Sequence, residues 1–247
     1  MTDRQERLLK LIIDEYISTA EPVSSKLLEE SGFFGLSSAT IRAEMNELEH
    51  GGYLEQPHTS AGRAPTDKAY RFYVDNLVRT GDIEPESRLK QKIKTTVAKM
   101  GNDPRSINKA VANLLSELSD SLVITNIIES DDFYKSGLSS LFNHPEFREL
   151  NRAFELAKFF DHFEAMFNEF ATKFIAEIDS AYGINIFIGQ ENPMSDIHDE
   201  SVITGRYKLP HNFTGSITLI GPTRMNYARN ISLVKCTTGE LDKLAQS

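Results

Sequence analysis

A helical segment that ends in two glycines constrains the fold of this chain more than any other feature. Residues 38–50 carry apolar side chains at positions 41, 45 and 48, which share one face of a helix. Ser37 or Ser38 can cap its N-terminus, and Gly51-Gly52 ends it because glycine readily adopts the left-handed backbone that terminates helices. The sequence therefore predicts a short amphipathic helix with a polar outer face.

A polar loop follows this helix and defines the local arrangement of elements. The loop PHTSAGRAPT (57–66) lies between Tyr53–Glu55 and the residues after Thr66, which we expect to pair as a β-hairpin. Upstream, residues 3–19 have the apolar spacing of an amphipathic helix, and Ser24 can cap a second, short one. Three short helices followed by a hairpin are typical of a winged helix-turn-helix domain.

The outer face of the third helix has the composition of a DNA-recognition surface. Two alanines keep this face small enough to enter a major groove, where Arg42 and Asn46 can donate hydrogen bonds to base edges or phosphates. Near the helix start, Ser38 and Thr40 can contact the DNA backbone through their hydroxyl groups. An ordinary surface helix has a similar composition, so the helix alone leaves both interpretations open.

The loop after the helix favours the DNA interpretation over its alternative, a rigid exposed turn. Its tip carries His58, Thr59, Ser60 and Arg63 and is bracketed by two prolines, which limit its entropy. Such a loop suits a wing laid along a phosphate backbone, with Arg63 able to enter a minor groove. The start of the next helix adds a small basic rim. The candidate DNA-binding residues are Ser38, Thr40, Arg42, Asn46, His58, Thr59, Ser60, Arg63, Lys68 and Arg71.

The rest of the chain predicts a second domain, and the fold class is α+β. We expect the winged helix-turn-helix domain at 1–80, a helical linker at 81–102 and a regulatory domain at 103–247. Strand-like segments alternate with helices that begin near 106 and 225, which favours a mostly antiparallel sheet. The strand-like segments are LVITNII, INIFIG, SVITGRYKL and GSITLIG.

A helical stretch between these strands is crowded with aromatic residues. Exposed aromatic stripes often mark partner surfaces, whereas packing in a hydrophobic core is the more common use of such rings. The phenylalanines are at positions 147, 154, 159, 160, 163, 167, 170 and 174.

Charge and cysteine usage exclude several classes of protein. The net charge of -9 argues against a general polyanion binder, so any contact with nucleic acid must be local. The single cysteine, Cys236, excludes an intramolecular disulfide and fits a reducing cytosol. The charged N-terminus lacks the apolar core of a signal peptide, and no apolar run reaches the roughly 20 residues that cross a bilayer. We therefore expect a cytoplasmic protein without membrane contact.

Several blocks of sequence are shared with a known family. EPVSSKLL (21–28) and SSATIRAEMNELEHGGYLEQPHTSAGRAPTDKAYRFYVD (37–75) span most of residues 21–75, and IGPTRMNYAR (220–229) lies near the C-terminus. HPEF, IGQEN and SVIT follow the order of segments in the family's C-terminal part. On these blocks, the chain resembles the HrcA family of heat-shock repressors.

The resemblance implies a dimeric transcriptional repressor of chaperone operons, with no catalytic activity and no cofactor. Family members bind double-stranded DNA at an inverted-repeat operator, called CIRCE, and the GroEL chaperonin helps to keep them active. The second domain is expected to be GAF-like, with an inserted segment that contributes to dimerisation. Heat would release such a repressor by unfolding the second domain and so removing simultaneous engagement of two half-sites.

The chain is shorter than typical family members in its central part. Only IIESDDFYKSGL (127–138) separates the segments LSELSDSLVITN and SSLFNHPEF, so most of the insertion is missing. The family's dimer interface is therefore in question, and the phenylalanine-rich helix is a candidate substitute. An inverted repeat still requires two protomers, so we expect a homodimer.

A ligand-responsive winged-helix regulator is the main alternative. Its GAF-like domain would need a pocket, which Tyr182, Phe187, Tyr207 and Phe213 could line, although these residues suit a core equally well.

An enzyme has little support from the sequence. The six histidines show no metal-ligand spacing, so no metal site is predicted, and no nucleophile motif is present. His198 lies between two aspartates in a polar segment that is more typical of a surface loop. Arg224 and Arg229 follow a strand, where they suit either an anion site or, as we expect, a structural role.

Overall fold

The computed structural model describes residues 1–32, 35–58, 61–81, 83–130, 132–148, 150–175 and 183–246, including the side chains of 148–170 only in part. The chain divides into two compact units, Met1–Gly81 and Asp82–Ser247.

The first unit contains the expected three helices and a fourth. Each begins at a hydroxyl side chain that accepts a hydrogen bond from the first turn, which satisfies a backbone N–H that has no partner inside the helix. The capping residues are Thr2, Ser24, Ser37 and Thr66. The helices are α1 (Asp3–Thr19), α2 (Ser25–Glu30), α3 (Ser38–His50) and α4 (Asp67–Thr80).

One apolar core holds the first unit together. The inner face of α1 packs against α3 and α4, and α3 packs against α2. The buried side chains include Leu8, Leu9, Ile12, Ile13, Ile41, Met45, Leu48, Leu54, Tyr70 and Val74. Between α1 and α4, the Tyr73 hydroxyl donates to Asp14 Oδ1 at 2.9 Å.

The hairpin differs from its prediction in the position of the second strand. Strands β1 (Leu54–Glu55) and β2 (Ala64–Pro65) pair antiparallel, so β2 precedes Thr66. The expectation that the second strand follows Thr66 is wrong, because the Thr66 side chain accepts from the Ala69 N–H and starts α4 there.

The second unit is of α+β class, as predicted. It begins with α5 (Ser87–Val97), which packs against the last helix and buries Ile93 and Val97, so this part of the expected linker at 81–102 belongs to the second unit. The other elements are α6 (Pro104–Ser119), β3 (Leu122–Ile127), β4 (Phe133–Ser136), α7 (Leu138–Leu141), α8 (Leu150–Phe170), β5 (Ile184–Ile188), β6 (Glu200–Lys208), β7 (Thr214–Pro222) and α9 (Tyr227–Leu244).

The five strands form one antiparallel sheet in the order β4-β3-β7-β6-β5. The expected antiparallel arrangement is confirmed, and the sequence prediction missed only the short edge strand β4. β3 and β4 pair antiparallel, with Asn126 opposite Phe133 near the connection between them.

Alternate residues of β6 contact different layers on the two faces of the sheet. On one face, Ser201 bonds to Tyr227 of α9, and the Tyr207 hydroxyl donates to Asn108 of α6. Gly215 lies under the Tyr207 ring, where a Cβ would overlap it. On the other face, Val202 contributes to a phenylalanine-rich core.

Most of the phenylalanine stripe lies in this core. Residues 147, 159, 163, 167, 170 and 174 are buried, whereas Phe154 is 59% exposed and the side chain of Phe160 is outside the described part. Phe163 makes edge contacts with Phe159 and Phe170, which suit the charge distribution of aromatic rings. Core packing is therefore the main use of the stripe.

Across the described ranges, every helix is too short or too polar to cross a membrane.

Candidate nucleic-acid interface

Helix α3 has one buried and one exposed face. Ile41, Met45 and Leu48 anchor it to the core, as predicted. The opposite face exposes Ala39 and Ala43, which add little bulk. The helix thus presents a shallow surface on a rigid support.

Arg42 is the exposed cation of this surface. In the part of the chain that the structure describes, its guanidinium forms no hydrogen bond or ion pair. Two acidic residues of the same helix do have partners: Glu44 pairs with Arg4 of α1, and Glu49 pairs with Arg63. These pairs neutralise carboxylates that would otherwise repel a phosphate beside Arg42. Neither pair was predicted, because each joins elements far apart in sequence.

The two hydroxyl residues near the start of α3 have internal partners. The Ser38 Oγ lies 2.9 Å from Ser25 Oγ, which joins α2 to α3. The Thr40 Oγ1 lies 3.0 Å from the capping Ser37 Oγ. Thr40 is exposed, whereas Ser38 is half-buried at the contact between the two helices.

The wing loop is only partly described. His58 is exposed, and its carbonyl accepts from the Ala61 N–H at 2.8 Å. Gln56 Nε2 donates to the Ala61 carbonyl at 3.0 Å across the base of the loop. Thr59 and Ser60 lie outside the described residues.

Arg63 lies at the base of the wing, away from the tip where it was expected. Its N–H and C=O both bond to Val23 at 2.8 Å, which adds a short bridge beside the hairpin. Gly62 allows this approach, since a Cβ there would overlap the Val23 carbonyl. The Arg63 side chain is 15% exposed: Nε donates to Glu49 Oε2 at 2.8 Å, and Nη2 donates to Asn46 Oδ1 at 3.1 Å.

The two basic candidates on α4 have different partners. The Lys68 ammonium donates to the Gly51 carbonyl at 2.8 Å and lies 4.5 Å from the centre of the Tyr53 ring. A cation at this position is favourable because the C-terminal carbonyls of a helix carry partial negative charge. Arg71 bonds to Asp75 one turn later, at 3.4 Å.

A polar cleft of about 470 Å³ runs between α3 and the base of the wing. It combines Arg42, Asn46 and Arg63 with small residues at the start of α2. The first unit has nine Lys and Arg against thirteen Asp and Glu, a net charge of -4, so its cationic surface is confined to such local sites. The lining residues are Val23, Ser24, Ser25, Arg42, Met45, Asn46, Gln56, Ala61, Gly62 and Arg63.

The structure describes three of the four residues considered for a ligand pocket in the second unit. Phe187 packs edge-on against Phe174 in the phenylalanine-rich core, and Tyr207 lies on the opposite face of the sheet. Phe213 is partly exposed, and Tyr182 lies outside the described residues.

The residues considered for catalysis have structural partners. His198 Nε2 lies 3.0 Å from the Asn192 carbonyl, and Arg224 pairs with Glu146. Burial raises the pKa of the Cys236 thiol, which disfavours the reactive thiolate. No cluster of three metal-ligating side chains occurs among the described residues.

Comparison with known proteins places this chain in a family. A family model described as the HrcA protein C terminal domain matches residues 80–231. The chain belongs to the HrcA family. Two HrcA relatives, each named heat-inducible transcription repressor, come from Caldanaerobacter subterraneus subsp. tengcongensis and Thermoanaerobacter pseudethanolicus. They are 29% and 30% identical to this chain, and the alignments cover 100% of it and 98% of each relative.

These alignments also show that this chain is shorter than its two HrcA relatives. Each spans 342 positions, whereas the chain has 247 residues, so 95 positions of each relative have no counterpart here. A crystal structure described as that of a hypothetical protein has the same fold, with a TM-score of 0.78 at 22% identity over 99% of this chain and 98% of the other. The relatives are named as repressors, in agreement with the expectation that this HrcA chain is not an enzyme.

Proposed function

We propose that this HrcA protein is a heat-inducible transcription repressor that acts in the cytoplasm by binding double-stranded DNA. The observation that carries the proposal is the exposed guanidinium of Arg42 on the small-residue face of α3, which has no partner among the described residues. Two of the three glutamates of this helix, Glu44 and Glu49, pair with arginines, which leaves Arg42 as a local cation on an acidic protein. The names of the relatives support the same function.

In this proposal, α3 enters the major groove and the wing contacts the adjacent backbone. Arg42 and Asn46 face base edges, while Ser38 and Thr40 lie near the phosphates of one strand. His58, Thr59 and Ser60 form the part of the wing that approaches the other strand, with Arg63 at its base. Lys68 and Arg71 contribute a positive rim.

We further propose that two copies bind an inverted-repeat operator of the CIRCE type and repress chaperone operons. One winged helix covers one half-site, so two protomers at a fixed separation gain avidity from simultaneous engagement. Residues 1–80 bind DNA, and residues 103–247 form a GAF-like regulatory and dimerisation domain. Heat releases the repressor by unfolding the second domain, and a GroEL-type chaperonin returns it to the active state.

A binding titration with the full chain tests this proposal. The probes are a CIRCE-type inverted repeat, a single half-site and a scrambled duplex of equal length, each over a salt series. We expect the inverted repeat to bind at least tenfold more tightly than the half-site, because two weak contacts become one bivalent contact. Equal affinity for all three duplexes would contradict operator-specific repression.

A further inference from the structure

We propose that Arg63 is a positioning residue that sets the base specificity of Asn46. This inference rests on the proposed DNA-binding function and assigns a specific chemistry to one position of the interface. It starts from the hydrogen bond between Arg63 Nη2 and Asn46 Oδ1 at 3.1 Å.

The partner of Asn46 fixes the orientation of its amide group. A guanidinium is only a donor, so the Asn46 atom that faces it must be the carbonyl oxygen. The amide nitrogen, Nδ2, therefore points away from Arg63. In the described part of the chain, this nitrogen donates to no protein acceptor.

Arg63 can impose this orientation because both its backbone and its guanidinium group have partners that hold them in place. Its backbone N–H and C=O both bond to Val23, and the lack of a Cβ at Gly62 permits this close approach of the two segments. The Nε of its guanidinium is bound to Glu49 at 2.8 Å, and the side chain is largely buried. The Asn46 oxygen thus meets a preorganised donor and not a mobile surface arginine.

An asparagine held in this way recognises a different base from a free asparagine. A free asparagine side chain can bind adenine with both atoms, accepting from N6 and donating to N7. In this protein the Asn46 oxygen is held toward Arg63, so the adenine contact, which needs the oxygen and the nitrogen side by side at one base edge, is disfavoured. The atoms left free for DNA are the two hydrogens of Nδ2. They match a base edge that presents acceptors side by side, which is guanine with its N7 and O6. We infer that Asn46 reads a guanine in each half-site.

A set of base substitutions in the operator tests the assignment. The probes are CIRCE-type inverted repeats in which one base pair is changed symmetrically in both half-sites, and the affinity of the full chain is measured for each. Asn46→Ala should abolish the preference at one guanine position, about a tenfold effect, and leave the other positions unchanged. Arg63→Lys retains the positive charge but loses the planar guanidinium group, whose several N–H donors have a fixed geometry. It should weaken the guanine preference at the same position and raise the relative affinity for adenine there.

Asn46→Asp gives a second test that does not depend on removing Arg63. One carboxylate oxygen would accept from Arg63, and the other would point outward as an acceptor. The preferred base at that position should change from guanine to cytosine, whose N4 amino group is a donor. Arg4→Lys is the matched control, because Arg4 pairs with Glu44 on the other flank of α3 and should leave every base preference intact.

The outcomes separate this inference from the function on which it rests. If the wild-type chain does not distinguish the inverted repeat from a scrambled duplex, the proposed function fails and the inference falls with it. If the wild type is specific but Arg63→Lys weakens all duplexes by one factor, Arg63 only contacts phosphate and the positioning role is overturned. A change at different base positions in Asn46→Ala and Arg63→Lys would overturn it as well.

Discussion

Arg224 and Glu146 form a two-point ion pair across 78 residues of sequence, with Nη2 and Oε2 3.0 Å apart. Arg224 belongs to the turn between β7 and α9, and Glu146 belongs to the HPEF segment before α8. Both side chains are largely buried, so the ion pair compensates part of the cost of removing each charge from water. The pair therefore links two sequence blocks that carry the family resemblance.

Removing either partner should destabilise the second unit. We expect Arg224→Met and Glu146→Gln each to lower the free energy of unfolding by about 2 kcal/mol, because a partly buried charge is left without its partner. The double variant should lose less than the sum of the two, by about 1 kcal/mol or more in calorimetry. Strict additivity would show that the two groups do not interact.

Glu200 should make the stability of the second unit depend on pH. It is 5% exposed, and burial raises its pKa to about 7 even though Arg152 Nη2 lies 3.3 Å from Oε1. The folded state then holds a proton that the unfolded state releases from about pH 4.5 upward, so stability should fall as the pH rises through 5 to 7. The loss is about 3 kcal/mol at most.

Glu200→Gln is the control for this pH effect. Glutamine cannot ionise, so calorimetric unfolding of the variant should lack the decline of stability between pH 5 and 7. An unchanged pH profile in the variant would assign the decline to other groups.

The phenylalanine stripe gives a matched pair of substitutions. Phe163 is fully buried, and Phe163→Ala should cost about 3–5 kcal/mol of stability through lost burial and a cavity. Phe154 is 59% exposed on the same helix, and Phe154→Ala should change stability by less than about 0.5 kcal/mol. Similar losses in thermal unfolding for both variants would contradict the division between core and surface.

Gly62 should be essential for the base of the wing. Gly62→Ala forces a Cβ against the Val23 carbonyl, so we expect a loss of about 1–3 kcal/mol and weaker operator binding as Arg63 shifts. Gly239→Ala is the control, because a Cβ there meets no neighbouring atom and alanine favours the helix by up to about 1 kcal/mol. Normal stability and binding in Gly62→Ala would show that the bridge is dispensable.

Local sequence signals predicted much of this architecture. The caps at Ser24 and Ser37 and the buried face of α3 follow from residue types and spacing within one helix. The position of β2 was missed because the strand ends at Pro65 and the next residue, Thr66, already caps α4. The residue types in this segment do not show where the loop ends, where the strand lies and where the helix begins.

The geometry of the candidate site depends on contacts that local patterns do not encode. Arg63 was expected at the wing tip because its neighbours are polar and small. Its actual position depends on Val23, which lies 40 residues earlier, and on Glu49 of α3. The same limit applies to the Arg4–Glu44 pair, since no spacing within α1 or α3 indicates it.

The central claim, that the outer face of α3 binds operator DNA, is tested most directly by the affinity of Arg42→Ala for a CIRCE-type inverted repeat over a salt series. The control is Arg88→Ala, which removes another exposed arginine from the second unit, also without a partner in the described residues. We predict that Arg42→Ala weakens binding at least tenfold, about 1.4 kcal/mol, while Arg88→Ala binds like the wild type. Equal affinity of the Arg42→Ala variant and the wild type would contradict the account.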